Sequence, residues 1–319
     1  MLYTRKCGEI ESADFGSEQT LCGWLQDTRN LGGIAFLQLR DITGVIQLTL
    51  LKKKLESDDF KKWTTINRES IVLVRGIIKE NKEAPGGVEM LPDNLEILNE
   101  AEAPLPLGVI DKIDSEIETR LNARYLDLRK KRIAANFHIR AAVSGAVHKH
   151  LRRENFLEVQ TPKIIASATE GGTSLFEMKY FDKTAYLAQS PQLYKQMLMS
   201  GGLERVYEIG PAFRAEEHNT PRHLNEFTSI DIEMSFADDD VVMGVMERLV
   251  DSAARAVAKE TEALETLGMA PIELELPLPR ITYDEAIEMS NGKVKWGDDL
   301  SMEATREIAQ QMNGFYFIT

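Results

Sequence analysis

Within residues 226–236, EFTSIDIEMSF, polar and apolar positions alternate strictly from Ser229 to Phe236. A period of two marks an extended strand with one face on a core, and it excludes an amphipathic helix there. Ile230, Ile232, Met234 and Phe236 fall on the apolar face; Phe227, Ser229, Asp231, Glu233 and Ser235 fall on the other. RVYEIGPAFRAEE, 205–217, reads as a second strand, and HNTPRH joins the two. An antiparallel hairpin is expected. Arg214 and Glu216, two apart, share a face of the first strand, and Phe227 is the aromatic on the polar face of the second. A cation, a carboxylate and a flat ring on one surface suit a nucleotide: guanidinium for phosphate oxygens, carboxylate for an exocyclic amine, ring for the base plane. A salt-bridged hairpin that holds nothing accounts for the same charges. Neither a GxxxxGK[ST] nor a GxGxxG pattern occurs, so phosphate would be held by side chains rather than by a glycine-rich turn.

Upstream, from residue 19 to about 100, short strands follow one another between turn signals. GIAFLQLRD and GVIQLTL flank Asp41-Ile42-Thr43-Gly44, IVLVRGIIKE follows, and KEAPGG precedes VEMLPDNLEIL. KLESDDFKKWTTI is a helical interruption. This pattern points to a small closed barrel, with an OB-fold the leading form. Ala35, Leu37, Leu39, Ile46, Leu48 and Leu50 are its expected core, while Phe36, Gln38, Arg40, Val45, Gln47 and Thr49 face outward. Phe36 is then either a stray surface aromatic or a platform for an unpaired base, with Gln38, Arg40 and Gln47 beside it.

Residues 104–130 open at APLPL, turn helical and charged, and are expected to be a hinge. After it, IAANFHIRAAVSGAVHKHLRREN is a long helix with Val143, Val147 and Leu151 at four-residue steps. FLEVQTPKI is a short strand that Pro162 should end or hold at a sheet edge. KTAYLAQS is strand-like, and PQLYKQMLMSGG and DVVMGVMERLVDSAARAVAKE are helical. The expected fold class is α+β: a barrel over 1–103, the hinge over 104–130, and an antiparallel-sheet domain over 131–319.

Composition narrows the functional classes. No run of about 18 apolar residues is present, so no membrane partner is expected, and MLYTRKCGEIESADFG has no secretory h-region. Cys7 and Cys22 form neither a CxxC pair nor a Cys/His zinc pattern. A reduced, cytoplasmic protein without a Cys/His zinc site is expected. The net charge of −13 opposes indiscriminate nucleic-acid binding, yet Lys52 to Lys54, Arg129 to Arg132 and HKHLRR at 148–153 leave room for local contacts.

Phe-Arg-x-Glu, a loop, then Arg-His-x-x-Glu-Phe-x-x-x-Asp-x-Glu resembles motif 2 of the class II aminoacyl-tRNA synthetases. The long helix ending in FLEVQTPKI resembles motif 1. ASATEGGTSLF, YLAQSPQLYKQ and FRAEEHNTPRHLNEFTSID together resemble aspartyl-tRNA synthetases of the archaeal and eukaryotic type, and the likeness runs along essentially the whole chain. It implies an OB-fold anticodon-binding barrel followed by a class II catalytic domain, joined in a homodimer through the motif 1 helix and strand. The substrates implied are ATP with Mg²⁺, L-aspartate and tRNA(Asp); whether tRNA(Asn) is a second acceptor is left open.

Residue by residue, the resemblance gives Arg214 the α-phosphate and the adenylate, which makes it the catalytic residue. Glu216 is matched to the adenine amine, Arg222, His223 and Leu224 to ATP, and Phe227 to stacking on adenine. Lys195 is matched to the aspartate side chain, and Glu170, Gln192 and Asp231 to its ammonium group. Glycines after Glu170 would let that loop move. In the barrel, Phe36 is matched to stacking on an anticodon base, Gln47 to reading it, and Arg29 to the anticodon stem-loop.

One departure stands out. The family's motif 3, with its γ-phosphate arginine, principal Mg²⁺-binding acid and second side-chain arginine, has no counterpart up to NGFYFIT. The resemblance therefore implies no metal site within this chain, and weak or absent aminoacylation by residues 1–319 is expected. Two alternatives remain: an asparaginyl-tRNA synthetase, against which Lys195 speaks, and a non-catalytic fragment that binds tRNA or dimerises.

Overall fold

A computed structural model describes residues 2–110, 115–166, 175–215, 224–312 and 314–319. Alternation builds the first unit, Met1–Gly108, as a barrel. Its strands are β1 (Glu18–Asn30), β2 (Ile34–Arg40), β3 (Val45–Leu51), β4 (Ile71–Glu80) and β5 (Val88–Asn99), with α1 (Ser57–Thr64) between β3 and β4. They pair in the order β1-β2-β3-β5-β4, and β4 returns to β1, closing the ring. Ala35, Leu37, Leu39, Ile46, Leu48 and Leu50 point inward as expected, joined by Leu21, Leu25, Val72, Val74, Ile78 and Met90. Phe60 and Trp63 of α1 complete this core.

The β2–β3 turn is fixed by Asp41, whose Oδ1 accepts from the Thr43 and Gly44 backbone N–H groups at 2.7 and 3.1 Å. At Gly23 and Gly76 neighbouring backbone comes so close that a Cβ would lie 2.3 Å from the carbonyl oxygens of Arg40 and Leu91, respectively.

Arg40 corrects the outward assignment of β2. It is buried, and its guanidinium donates to Glu69 Oε2 at 2.7 Å. Alternation does place it off the core face, but the chain around Glu69 folds over that position. Thr49 is likewise buried, with its hydroxyl donating to Glu89 Oε2 at 2.6 Å.

The second unit, Val109–Thr319, carries three small sheets and a long helix. Within the expected hinge lie α2 (Ile117–Asn122) and α3 (Arg124–Asp127), followed by α4 (Lys131–Arg153). The carboxylate of Asp127 is fully buried and accepts from Arg120 and Arg124, with Lys130 Nζ 3.7 Å away. Next come β6 (Leu157–Glu158), β7 (Ile164–Ile165), β8 (Glu177–Tyr180), β9 (Lys183–Leu187), α5 (Gln192–Ser200), β10 (Arg205–Phe213), β11 (Glu226–Met234), α6 (Asp239–Val257) and α7 (Thr261–Leu267). The remaining elements are β12 (Arg280–Ile281), α8 (Tyr283–Met289), α9 (Met302–Gln311) and β13 (Phe317–Ile318).

β10 and β11 form the expected antiparallel hairpin, with Glu208 opposite Asp231 and Ala212 opposite Phe227. β6 joins β10 as a two-residue parallel edge strand, shorter than FLEVQTPKI implied, and β7 resumes beyond Pro162. A second sheet has the order β7-β9-β8, and β12 pairs with β13. Val147 and Leu151 of α4 pack with Phe156, Tyr207, Val245 and Leu249, while Val143, Ile232 and Met234 lie against the same cluster.

Two residues of the apolar face of 226–236 depart from expectation. Phe236 is 96 % exposed at φ 55°, because β11 ends at Met234 and the chain turns. Ile230 is 45 % exposed: it borders a cavity of about 520 Å³ with Val143, Ile209 and Pro211. Among the described residues no helix is long and apolar enough to cross a membrane.

Candidate functional site

The β10–β11 hairpin presents Glu208, Gly210 and Ala212 beside Phe227, Ser229, Asp231 and Glu233 on one face. α5 lies against these strands. Just ahead of the helix, Ser190 Oγ accepts from the Gln192 N–H at 3.0 Å; one turn on, Lys195 is the one buried residue of α5. A helix that turns a lysine inward needs compensation, since an unpaired buried ammonium is very costly. Lys195 Nζ sits 3.3 Å from Asp231 Oδ1 and 3.5 Å from Glu233 Oε2, and donates to the Ile232 carbonyl at 3.1 Å. Gln192 Nε2 donates to the same Glu233 carboxylate at 3.2 Å. The structure thus brings Gln192, Lys195 and Asp231 together, with Glu233 as an organiser that the sequence placed on the right face without a role.

Arg214 follows β10. Its N–H donates to the Asn225 carbonyl at 3.0 Å, and its guanidinium lies over the Phe227 ring, 5.3 Å from the centroid. Its Nε is buried and has no hydrogen-bond partner. A buried, unsatisfied guanidinium N–H beside an aromatic ring fits a site for an anionic, planar ligand such as a nucleotide. Leu224 is exposed and lines the cavity with Ile209 and Ile230. Glu170, Glu216, Arg222 and His223 lie outside the described residues.

A second feature missed in the sequence is Glu208. Buried opposite Asp231, it accepts from the Thr161 N–H and hydroxyl at 3.0 and 2.8 Å and from Lys163 Nζ at 2.9 Å. It ties the segment around Pro162 to the site's floor. Alternation could have exposed it, since an acid among Val206, Gly210 and Ala212 on one face needs a partner. Among the described residues, no group of three or more His, Cys, Asp or Glu side chains is arranged to hold a metal ion.

The barrel has a site of its own. A cavity of about 660 Å³ is lined by Arg29, Phe36, Gln38, Gln47, Lys54 and Lys79, among others. Phe36 pairs in register with Arg29 on one side and Thr49 on the other. Glu89 is the hub that sequence reasoning missed: its Oε2 accepts from Thr49 Oγ1 at 2.6 Å, Asn81 Nδ2 at 2.8 Å and Gln47 Nε2 at 3.4 Å.

A family model described as tRNA synthetases class II (D, K and N) matches residues 116–319. The chain belongs to the class II tRNA synthetases. A model described as an OB-fold nucleic acid binding domain matches residues 19–98 of this synthetase chain, the closed barrel. Among its relatives, the aspartate–tRNA(Asp/Asn) ligase of Archaeoglobus fulgidus is 51 % identical over 95 % of the chain and 72 % of that protein. The aspartate–tRNA(Asp) ligase of Thermoplasma acidophilum is 48 % identical over 95 % of the chain and 71 % of that protein. The asparaginyl-tRNA synthetase of Pyrococcus horikoshii, solved with asparaginyl-adenylate, superposes with a TM-score of 0.91 at 32 % identity, covering 100 % of this chain and 74 % of that one. The aspartyl-tRNA synthetase of Entamoeba histolytica gives 0.84 at 29 %, covering 97 % and 67 %.

Proposed function

We propose that this synthetase chain activates L-aspartate with ATP and passes the aspartyl group to the 3′-terminal ribose of tRNA(Asp), with tRNA(Asn) as a second acceptor. The observation that carries aspartate is Lys195, a buried cation held between two carboxylates on the face that bears Arg214 and Phe227. A lysine substrate would be repelled there, and asparagine has no charge to pair. Relatives near half identity are named aspartate ligases, several of them for both tRNAs, which supports the reading.

Substrate entry then becomes an exchange of ion pairs. Lys195 leaves Asp231 for the side-chain carboxylate of aspartate, and Asp231, with Gln192 and Glu170, takes the ammonium. The number of paired charges is conserved, so no buried charge is stranded. The α-carboxylate of aspartate attacks the α-phosphorus of ATP and pyrophosphate leaves; the ribose hydroxyl then attacks the adenylate carbonyl and AMP leaves. No covalent enzyme intermediate is needed, and rate comes from positioning and charge stabilisation. Arg214 donates to the α-phosphate, Phe227 stacks on adenine, Glu216 accepts from its amine, and Arg222, His223 and Leu224 contact the nucleotide. Mg²⁺, which the resemblance implies, would offset charge on the phosphates; among the described residues no group of three or more His, Cys, Asp or Glu side chains is arranged to hold it, and no residue is assigned to it.

The barrel cavity holds the anticodon, with Phe36 stacked on a base, Gln47 reading it and Arg29 on the stem-loop. A second copy of the chain covers α4 and the adjoining sheet, where Phe137, Leu157 and Ile230 are exposed. A cytoplasmic location, from the composition, and the domain limits 1–103, 104–130 and 131–319, from the strand and helix pattern, complete the reading.

The test is ATP–pyrophosphate exchange with aspartate, asparagine or lysine supplied singly. Stimulation by aspartate alone is expected, at the weak turnover expected of residues 1–319. Stimulation by asparagine instead, the substrate of the Pyrococcus structural neighbour, would overturn the assignment.

A further inference from the structure

Behind the barrel cavity, three irregular features meet at one point. Gln26 is the extra residue of a β-bulge: Leu25 pairs with Leu39 and Asp27 with Gln38, leaving Gln26 unmatched across the strand. Bulges re-aim side chains. Glu69 is buried at φ 67°, a backbone region that non-glycine residues hold only where the surroundings enforce it. Its N–H donates to the Leu25 carbonyl at 2.7 Å and the Leu25 N–H donates to Ser70 at 2.9 Å, which straps this turn to the bulge. The third feature is the buried Arg40–Glu69 ion pair.

The hydrogen bonds that leave this point have only one possible sense. Arg40, which is all donor, gives NH1 to Gln26 Oε1 at 3.1 Å. The Gln26 carbonyl therefore faces inward, and its Nε2 donates to Gln38 Oε1, also at 3.1 Å. Gln38 lines the cavity, and the polar group left to it is its NH₂. Directly across the β2–β3 ladder stands Gln47, whose Nε2 is turned to the Glu89 carboxylate, a pure acceptor, at 3.4 Å. Gln47 keeps its carbonyl for the cavity.

We propose that the buried Arg40–Glu69 pair is a positioning device that sets the hydrogen-bond polarity of the cavity beside Phe36. Through Gln26 it makes Gln38 a donor, next to Gln47 as an acceptor. The ligand this selects is an unpaired nucleobase that offers an acceptor adjacent to a donor. The inference rests on the anticodon reading of the cavity, but the relay itself is a property of the protein. An ion pair that merely closed the barrel end would be indifferent to which way the Gln38 amide points.

Gln26→Glu tests this without breaking the ion pair. The substituted side chain has the same shape and still accepts from Arg40, but it cannot donate to Gln38. The Gln38 amide must then turn its NH₂ inward and its carbonyl to the cavity. In ¹⁵N spectra of the full chain, the Gln38 NH₂ should exchange rapidly with solvent in the native protein and become protected in Q26E. Unchanged protection would overturn the relay. An anticodon stem-loop RNA and its single-base variants provide the second arm. Q26E should weaken the preferred stem-loop about tenfold and change the rank order of bases, whereas Gln26→Met should flatten it. An unchanged rank order in Q26E would equally overturn the proposal. If no stem-loop binds the native chain, the anticodon reading fails, and the amide exchange still decides the relay.

Discussion

Lys195→Met removes one charge and keeps most of the side-chain volume, so its effect on ligand choice can be worked out in advance. The native ammonium is 3 % exposed and makes contacts of 3.3, 3.5 and 3.1 Å to Asp231, Glu233 and the Ile232 carbonyl. Breaking a buried pair from one side costs about 3–5 kcal/mol. Here Asp231 and Glu233 keep 21 % and 22 % of their side-chain surface in water, which screens their repulsion and brings the cost down to about 1–3 kcal/mol. At about 2–4 °C per kcal/mol for a unit of this size, the melting temperature should fall by about 2–12 °C, leaving a folded protein to assay. On ligand binding, loss of a charge-assisted hydrogen bond to the aspartyl carboxylate is worth about 1.5–3 kcal/mol, or about ten- to 150-fold. A neutral asparaginyl side chain never had that bond and should lose little. Calorimetric titration of K195M with non-hydrolysable aspartyl- and asparaginyl-adenylate analogues reads the ratio directly. A variant that folds and keeps the native preference for the aspartyl analogue would refute the role given to Lys195.

Other consequences are open to measurement. Phe36→Ala should weaken anticodon stem-loop binding by about 1–3 kcal/mol without altering adenylate-analogue binding, read by fluorescence anisotropy and calorimetry. Gly76→Ala sets a Cβ against the Leu91 carbonyl oxygen at 2.3 Å, a backbone atom that cannot step aside, so the barrel should lose about 2 kcal/mol or more in a denaturant titration. Burial pushes the Asp127 carboxyl up, but the hydrogen bond and charge of Arg120, with the charges of Lys130 and Arg124, outweigh it and hold the group below the usual carboxylate range. Such a group contributes stability above its unfolded pKa of about 4 and loses it as pH falls through the lower folded value, so Asp127→Asn should flatten the acid limb of a melting-temperature profile. Burial likewise raises the Cys7 thiol far above its ordinary range, and iodoacetamide should label Cys7 only in denaturant.

Much of the fold was legible because it is written in local period. Alternation assigned the inward residues of β2 and β3 and both faces of β10 and β11, and four-residue spacing found the α4 stripe of Val147 and Leu151. What failed depends on pairing between distant segments. Arg40 lies on the outward face by period, yet it is covered by Glu69, twenty-nine residues on. Glu89 reaches Gln47 only through the parallel β3–β5 register, a pairing no local pattern announces. Ile230 is apolar but not buried, because the cluster packed by α4 and α6 takes in Ile232 and Met234 and stops short of it, leaving it at the edge of the cavity. At the candidate site, alternation brought Arg214, Phe227 and Asp231 to one surface, whereas the family resemblance, not helical period, singled out Lys195. The structure adds the physical reason for that choice: a lysine is the residue α5 turns inward.

The central claim is that this face binds an aspartyl adenylate and prefers it to the asparaginyl one. Titration of the native chain with the two analogues, side by side in one buffer, measures that preference most directly. The ion-pair exchange at Lys195 predicts tighter binding of the aspartyl analogue by ten-fold or more, equivalent to about 1.4 kcal/mol. Equal affinities, or tighter binding of the asparaginyl analogue, would contradict it.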